Sequence, residues 1–193
     1  MRFAALGLID FEPELIVSGI NHGSNLGDDI TYSGTVAAAL EGVVLGVPGI
    51  AVSQQSMARE MDFRLGEDFD FREAAAFTAR LVEELESVPM PEATLLNVNC
   101  PAGDIRGARA CKLGKRVYHD KLELADESGG RRRYHIYGDE PSYEREDGTD
   151  FAAIAEGLVA VTPLHFDLTD QAGIEALGGF DLDRLLRPAA REV

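Results

Sequence analysis

Short apolar runs alternate with a segment of helical periodicity in the first half of this chain. Residues 14–17 and 50–53 are brief runs with β-branched members, which is typical of buried strands. Between them, the alanine-rich residues 36–45 predict a helix. A strand, a helix and a second strand in this order form a parallel pair whose connecting helix covers one face. The pattern therefore predicts an α/β fold with a parallel sheet.

The rest of the pattern predicts further elements around a hairpin. Residues 69–87 repeat apolar side chains at helical spacing, and residues 94–100 predict a strand that is closed by a proline. Residues 109–117 and 132–137 predict the two strands of an extended hairpin arm around a glycine-containing turn. After the arm we predict a helix at 150–156, a strand at 158–162, and terminal helices at 171–177 and 182–186.

The arm gives the second part of the chain a different character from the first. We divide the sequence into a core segment, 1–105, and a second segment, 106–193, which holds the arm, a returning core strand and a C-terminal helical segment. Tyrosines are enriched at protein interfaces, and the arm contains nearly all of them: Tyr118, Tyr134, Tyr137 and Tyr143. We therefore predict a homodimer or homotetramer that packs through the arm. The alternative is an arm that folds back on its own domain.

A polar loop rich in Gly, Asn, Asp, Ser and Thr follows the first predicted strand. Asn21 is expected just past that strand, at the sheet edge where open α/β sheets bind ligands. Asn21 and Asn25 offer neutral carbonyl oxygens that suit a hard cation such as Mg²⁺, Mn²⁺ or Ca²⁺. Ser33, Gly34 and Thr35 precede the alanine-rich helix, whose free N–H groups and dipole favour a phosphate. The loop is therefore a candidate phosphate and metal site.

Each part of this loop also has a simpler interpretation. A Ser or Thr at a helix start is most often only a cap, and scattered Gly and Asn are most often turns. Asp28 and Asp29 are possible ligands, but an acidic pair in a loop is more often solvated. The individual residues leave these alternatives open.

Composition limits the partners of the chain. The net charge is −16, from 34 acidic and 18 basic residues. This charge disfavours non-specific nucleic-acid binding, which depends on Lys and Arg clusters. Cys100 and Cys111 have no metal-like or redox-like spacing, so we assign them no chemistry. No apolar run is long enough to span a bilayer and no cleavage-like site follows the N-terminus, so the sequence predicts a cytoplasmic protein.

The loop as a whole carries more information than its parts. The string SGIN-x-G-x-N-L-G-D-D-x-x-Y-S-G-T-V-A-A-A-x-E-G, residues 18–42, resembles the signature of the SurE family, the metal-dependent 5′-nucleotidases and survival-protein phosphatases. Further matching segments are LNVN at 96–99, LGKR at 113–116, GTDFAA at 148–153 and VTPL at 161–164. The resemblance covers nearly all of the chain from Pro13 to Thr169.

The resemblance implies a fold, a reaction and site residues. It implies a Rossmann-like three-layer core with a hairpin and a C-terminal segment used in assembly, and hydrolysis of nucleoside 5′-monophosphates or similar phosphomonoesters with one divalent metal ion. Asn21 matches the family's asparagine metal ligand, and Asn25 matches a second active-site asparagine. Ser33, Gly34 and Thr35 match the phosphate-contacting turn. By this resemblance Asn25, Ser33 and Thr35 are the candidate catalytic residues.

The chain departs from the family pattern before residue 15. Family members open with a strand that ends in Asn-Asp-Asp-Gly, whose aspartates ligate the metal, and residues 1–12 do not contain this sequence. We therefore expect a core without its first strands. The expected explanation is the C-terminal portion of a longer protein of the family, with an intact short homologue that has lost catalysis as the smaller possibility.

Two classes of function follow from these observations. The first is a SurE-type phosphatase. The second is a non-catalytic module of the same family that binds a nucleotide or assembles with other subunits. A dinucleotide-dependent oxidoreductase is rejected, because the loop lacks the G-x-G-x-x-G sequence of that class.

Overall fold

The computed structural model describes residues 3–59, 68–118, 121–136 and 142–186 of the 193-residue chain. Its strands are β1 (Ile16–His22), β2 (Gly49–Gln54), β3 (Thr94–Cys100), β4 (Gly107–Ala110), β5 (Arg116–Val117), β6 (Leu122–Ser128), β7 (Arg131–Ile136), β8 (Ser142–Tyr143) and β9 (Leu158–His165). Its α-helices are α1 (Gly34–Val44), α2 (Arg72–Glu83), α3 (Asp150–Ala155) and α4 (Gln171–Gly178). Shorter helical segments are Ala4–Leu8, Gly27–Tyr32, Leu85–Ser87 and Leu182–Leu186.

Strands from both parts of the chain form one five-stranded sheet in the order β1-β2-β3-β9-β4. β1, β2 and β3 are parallel, as the sequence pattern predicts. β9 runs antiparallel to β3, and β4 runs parallel to β9. The predicted parallel sheet is therefore present, and the antiparallel pairing of β9 with β3 makes the whole sheet mixed, with mostly parallel pairs. Gly157, with a φ of 77°, turns the chain from the end of α3 directly into β9, so that β9 starts at the edge where β3 ends.

Helices cover both faces of this sheet. Side chains along each strand alternate between the two faces, so neighbouring residues of β3 contact different helices. On one face, Leu95 of β3 packs with Val36 and Ala39 of α1 in a buried apolar cluster. On the other face, Leu96 packs in a second cluster with Ala74 of α2. The Rossmann-like α/β fold with three layers is therefore confirmed.

Most predicted elements lie close to their observed positions. β3 has the predicted bounds, and α1, α2, α3, β2 and α4 differ from their predicted ranges only at the ends. The first strand differs more, because β1 continues to His22. Asn21 therefore lies within β1, next to its last residue, where it pairs with Ser53 of β2. It does not lie beyond the strand as predicted.

The predicted bounds of the hairpin arm were wrong. The arm is formed by β6 and β7, which pair from Leu122 and Ile136 to the turn at Gly129 and Gly130. The predicted strand at 109–117 is split between β4, at the edge of the main sheet, and β5, which pairs with β8. Strand propensity alone marks extended backbone and does not identify the partner strand, which tertiary packing selects.

The second segment of our division also contributes to the core. β4, α3 and β9 belong to residues 106–193, and β4 and β9 lie in the same sheet as β1 to β3. The division at residue 105 stays a prediction.

In the described part of the chain, none of the helices has both the length and the apolar character needed to cross a bilayer.

Candidate active site

Asn21 lies where β1 ends, and the surrounding backbone orients its side-chain amide. The Asn21 Nδ2 donates hydrogen bonds to the carbonyl oxygens of Gly23 at 2.9 Å and of His22 at 3.3 Å. The Oδ1 atom has no hydrogen-bond donor among the described residues. A half-buried carbonyl oxygen with a fixed direction can therefore accept a bond from a ligand or coordinate a cation.

The start of α1 lies at the same edge of the sheet. Because α1 connects the parallel strands β1 and β2, its N-terminus lies at the edge where β1 ends. Ser33 caps the helix, since its Oγ accepts a hydrogen bond from the Val36 N–H at 3.1 Å. The N–H groups of Gly34 and Thr35 have no acceptor within the described ranges, and Gly34 faces open space. These first-turn donors and the helix dipole favour an anion.

Asn25 lies between these two groups in sequence and is almost fully buried. Its Nδ2 donates to the Ser53 Oγ of β2 at 2.7 Å. Asn99 of β3 accepts from the Asn25 backbone N–H at 2.7 Å and donates to the Asn25 carbonyl at 2.9 Å, and Asn97 donates to the same carbonyl at 2.9 Å. The Asn25 Oδ1 has no donor in the parts of the chain that are described. Two side chains of β3 thus hold the loop backbone, and Ser53 of β2 holds the Asn25 side chain.

The role of Asn97 and Asn99 was not predicted from the sequence, although a signal was present. Both are fully buried, on the face of β3 that also carries Leu95. Two asparagines in an otherwise apolar strand predict polar partners, because a buried amide without hydrogen bonds is costly. What the strand pattern does not contain is the identity of the partner, since Asn25 is distant in sequence.

Asp29 fixes the other end of the loop. Its carboxylate accepts a hydrogen bond from the Arg116 Nε at 2.9 Å, and Arg116 and Tyr118 donate further bonds to it. The side chains of Arg116 and Asp29 are 1% and 10% exposed, so this ion pair is buried. Burial and the hydrogen bond to Asp29 raise the pKa of Tyr118. The interpretation of Asp29 as a solvated loop acid is therefore wrong, whereas Asp28 is exposed.

A second buried carboxylate joins the loop to the C-terminal part of the chain. The Asp150 side chain accepts hydrogen bonds from the backbone N–H groups of Gly27 at 2.8 Å, Gly114 at 2.8 Å and Phe151 at 2.9 Å. Burial raises the pKa of Asp150, and these backbone hydrogen bonds oppose that rise. Gly27 has a φ of 52°, and a Cβ atom there would lie 2.6 Å from the Gly114 carbonyl oxygen. Asp150 therefore holds the site loop at Gly27 against the segment at Gly114, and we call these hydrogen bonds the Asp150 clamp.

The described residues do not form a complete site for a divalent cation. Within those ranges, no three His, Cys, Asp or Glu side chains lie close enough together to hold a metal ion. Asn21 offers one neutral oxygen, while Asp29 and Asp150 are committed to buried hydrogen bonds. Divalent hard cations normally have several oxygen ligands, with carboxylates among them. The asparagine therefore fits as one ligand but does not make a metal centre.

Comparisons with known proteins identify the family of this chain. The family model described as "Survival protein SurE" matches residues 1–120. The chain belongs to the SurE family. A relative from Rubrobacter xylanophilus named 5′-nucleotidase SurE is 48% identical over 191 residues, which cover 96% of this chain and 71% of that relative. A protein of the same name from Chloroflexus aggregans is 48% identical over 180 residues, covering 92% of this chain and 68% of the relative.

A solved structure extends the likeness from sequence to fold. The crystal structure of the SurE protein from Aquifex aeolicus matches with a TM-score of 0.74 and 35% sequence identity, covering 96% of this chain and 71% of that chain. The resemblance of the loop to the SurE signature is therefore confirmed at the level of family and fold. The roles of Asn21, Asn25, Ser33, Gly34 and Thr35 stay predictions.

Proposed function

We propose that this chain binds nucleoside 5′-monophosphates and hydrolyses their phosphomonoester bond, as the name 5′-nucleotidase of its relatives implies. The observation that supports this best is the position of the Asn21 Oδ1, which no described residue bonds, at the same sheet edge as the start of α1. The edge thus provides both an acceptor and a group of backbone donors. A phosphate needs donors for its oxygens, and the reacting water needs an acceptor.

The proposed roles follow from the hydrogen-bonding capacity of each group. The Gly34 and Thr35 N–H groups bind the phosphate oxygens, and the Thr35 hydroxyl adds a further donor. Ser33 uses an oxygen lone pair in its cap, so its O–H is available as a donor to the same phosphate. The Asn25 Oδ1 is an acceptor, which suits it to orient a water molecule. A divalent cation, when bound, would polarise the phosphoryl group, with Asn21 as one of its ligands.

The activity test compares Asn21→Ala with the unchanged chain. We expect release of phosphate from AMP in the presence of Mn²⁺, and loss of at least about tenfold in kcat/KM in Asn21→Ala, because a group fixed beside the phosphate typically contributes 1.4 kcal/mol or more. EDTA should abolish the activity and added Mn²⁺ should restore it. Thr31→Ala is the control, since among the described residues this exposed side chain bonds only to the nearby Asp28 carbonyl.

Two results would contradict the proposal in different ways. A folded chain that binds AMP without turnover would support the alternative, a non-catalytic nucleotide-binding module. Equal losses in Asn21→Ala and Thr31→Ala would show that the effect is general to the loop and not specific to the site.

We further propose that the chain forms a homodimer or homotetramer through β6 and β7. This hairpin is exposed along its length, and Leu122, Leu124 and Tyr134 present apolar surface on it. Leu124 lies opposite Tyr134 in the pairing of the two strands. By contrast Tyr118 binds Asp29 and Tyr143 stacks on Phe151, so these two tyrosines serve their own subunit. Tyr137 lies outside the described residues.

The assembly can be tested by a charge on the apolar side of the hairpin. We expect light scattering after gel filtration to give a mass of at least twice 20.9 kDa for the unchanged chain, and a shift towards the monomer in Leu124→Glu. Glu123→Lys is the control, because neighbouring strand residues point to opposite faces. A monomeric unchanged chain would instead support the alternative in which the arm serves only its own domain.

A further inference from the structure

An aromatic cluster lies directly beside the candidate site and has no role in the phosphate chemistry. The His22 ring contacts Phe69 and Phe71 edge-on, with a centroid distance of 5.0 Å to each. The two phenylalanine rings are nearly parallel, with centroids 5.7 Å apart. We call His22, Phe69 and Phe71 the His22 cluster. Its first member, His22, directly follows Asn21 in the sequence.

The His22 cluster is accessible, unlike the apolar clusters of the core. His22 is exposed, and Phe69 and Phe71 are half-buried at the start of α2. A ring packed only for stability would normally be covered, because stabilisation increases with the apolar area removed from water. Three rings that keep accessible surface at the ligand-binding edge of a sheet therefore point to a ligand with a flat apolar face.

The cluster borders the end of β1 that carries Asn21. Successive strand residues point to opposite faces, so Asn21 and His22 lie on the two sides of the end of β1. Gly23 lies between them and the loop, and no atom lies within 4 Å of the position of a Cβ there. A molecule with its phosphate near Asn21 and α1 could therefore cross the strand end at Gly23 and reach the rings.

We propose that the His22 cluster is the base-contacting platform of the nucleotide site, on which the nucleobase stacks while the phosphate binds at Asn21 and the start of α1. This inference rests on the proposed function for the phosphate. Stacking between a base and an aromatic side chain contributes about 1–3 kcal/mol and tolerates different bases, because every base has a π face. The platform thus selects nucleotides over other phosphomonoesters, with larger purines held better than pyrimidines.

The test compares a substrate with a base and one without. Phe69→Leu and Phe71→Leu keep apolar volume and remove the ring, and His22→Ala removes the polar edge. For each variant, the kcat/KM for AMP divided by that for ribose 5-phosphate is expected to fall about five- to tenfold, in line with the lower part of the stacking range. Phe180→Leu is the control, because it makes the same substitution at an accessible phenylalanine that lies beneath the Arg184 guanidinium, in the C-terminal segment.

A binding experiment separates this inference from the proposed function. Saturation-transfer NMR with adenosine, which has no phosphate, should show transfer to the base protons in the unchanged chain and in Phe180→Leu, and weaker transfer in the cluster variants. If no phosphomonoester is hydrolysed but this pattern holds, the platform stands and the proposed activity fails. If AMP and ribose 5-phosphate are hydrolysed with the same ratio in all variants, or adenosine shows no transfer, the platform is overturned.

Discussion

Asp150→Ala is expected to lower the free energy of unfolding by about 4 kcal/mol. The carboxylate is the acceptor for the N–H groups of Gly27, Gly114 and Phe151, and the residue is fully buried. Each buried donor left without a partner costs about 1–3 kcal/mol, and removal of a buried charge offsets part of that sum. Urea denaturation followed by circular dichroism measures the change. The substitution should also weaken AMP binding, because it releases the loop at Gly27.

Asp147→Ala provides the control for this prediction. Asp147 is exposed in the turn before α3, so its loss should change stability by less than about 0.5 kcal/mol. A similar loss of unfolding free energy in the two variants would show that the Asp150 clamp does not stabilise the fold. Loss of stability in Asp150→Ala with unchanged nucleotide affinity would show that the clamp supports the fold but not the site.

The pH dependence of stability provides a second measurement on Asp150. Its pKa is raised by burial above the value of the unfolded chain, so the folded state takes up the proton more readily. Its contribution to stability is therefore fully present at acidic pH, and is lost as the pH rises through the folded-state pKa. Asp150→Asn removes this titration. The stability of the unchanged chain relative to Asp150→Asn should consequently decrease from acidic to neutral pH, and an increase would contradict this sign.

Asn99→Leu is expected to cost about 3 kcal/mol, whereas Asn97→Leu should cost less than about 1 kcal/mol. Both side chains are fully buried on one face of β3, and both donate to the Asn25 carbonyl. Asn99 alone accepts from the Asn25 N–H, which becomes an orphaned buried donor when the amide is removed. In Asn97→Leu the Asn25 carbonyl keeps its bond from Asn99. The substitution also removes the buried Asn97 Oδ1, which has no hydrogen-bond partner in the described parts of the chain.

The two asparagines are thus matched in place, size and burial and differ in one hydrogen bond. Thermal and urea unfolding of the two variants measure the difference in stability, and AMP hydrolysis measures its consequence at the site. Equal costs for the two substitutions would show that simple loss of polarity in the core dominates. A stable Asn99→Leu with full activity would show that the Asn25 loop holds its shape without this strand.

Much of the fold follows from local sequence pattern. The alanine-rich run after Ser33 specifies α1, and the run TLLNVNC at residues 94–100, followed by a proline, specifies β3 with its observed bounds. The glycine-rich loop at 18–35 identifies the family without any coordinates. Local rules work here because hydrophobic periodicity, a cap and a turn depend on neighbouring residues only.

The partners of the buried polar groups could not be predicted in the same way. Nothing near Asp150 in sequence indicates that it binds Gly27, and nothing near Asn99 indicates Asn25. The opposite direction of β9 and the true strands of the hairpin also depended on packing between distant segments. Such contacts form only when the chain is folded, because each is selected by the geometry of two surfaces and by the cost of leaving a buried donor unsatisfied.

By itself the sequence determined the α/β class, the main elements and the loop with the SurE signature, since these depend on local periodicity and on residue types at fixed spacing. The tertiary structure decided how that loop is held. Asn25 forms hydrogen bonds with β3, Asp29 with Arg116, and Gly27 with Asp150. It also decided that His22 meets two phenylalanines beside Asn21. The physical reason is that hydrogen-bond partners and ring contacts depend on the three-dimensional arrangement of distant segments. The order of residues along the chain constrains that arrangement only weakly.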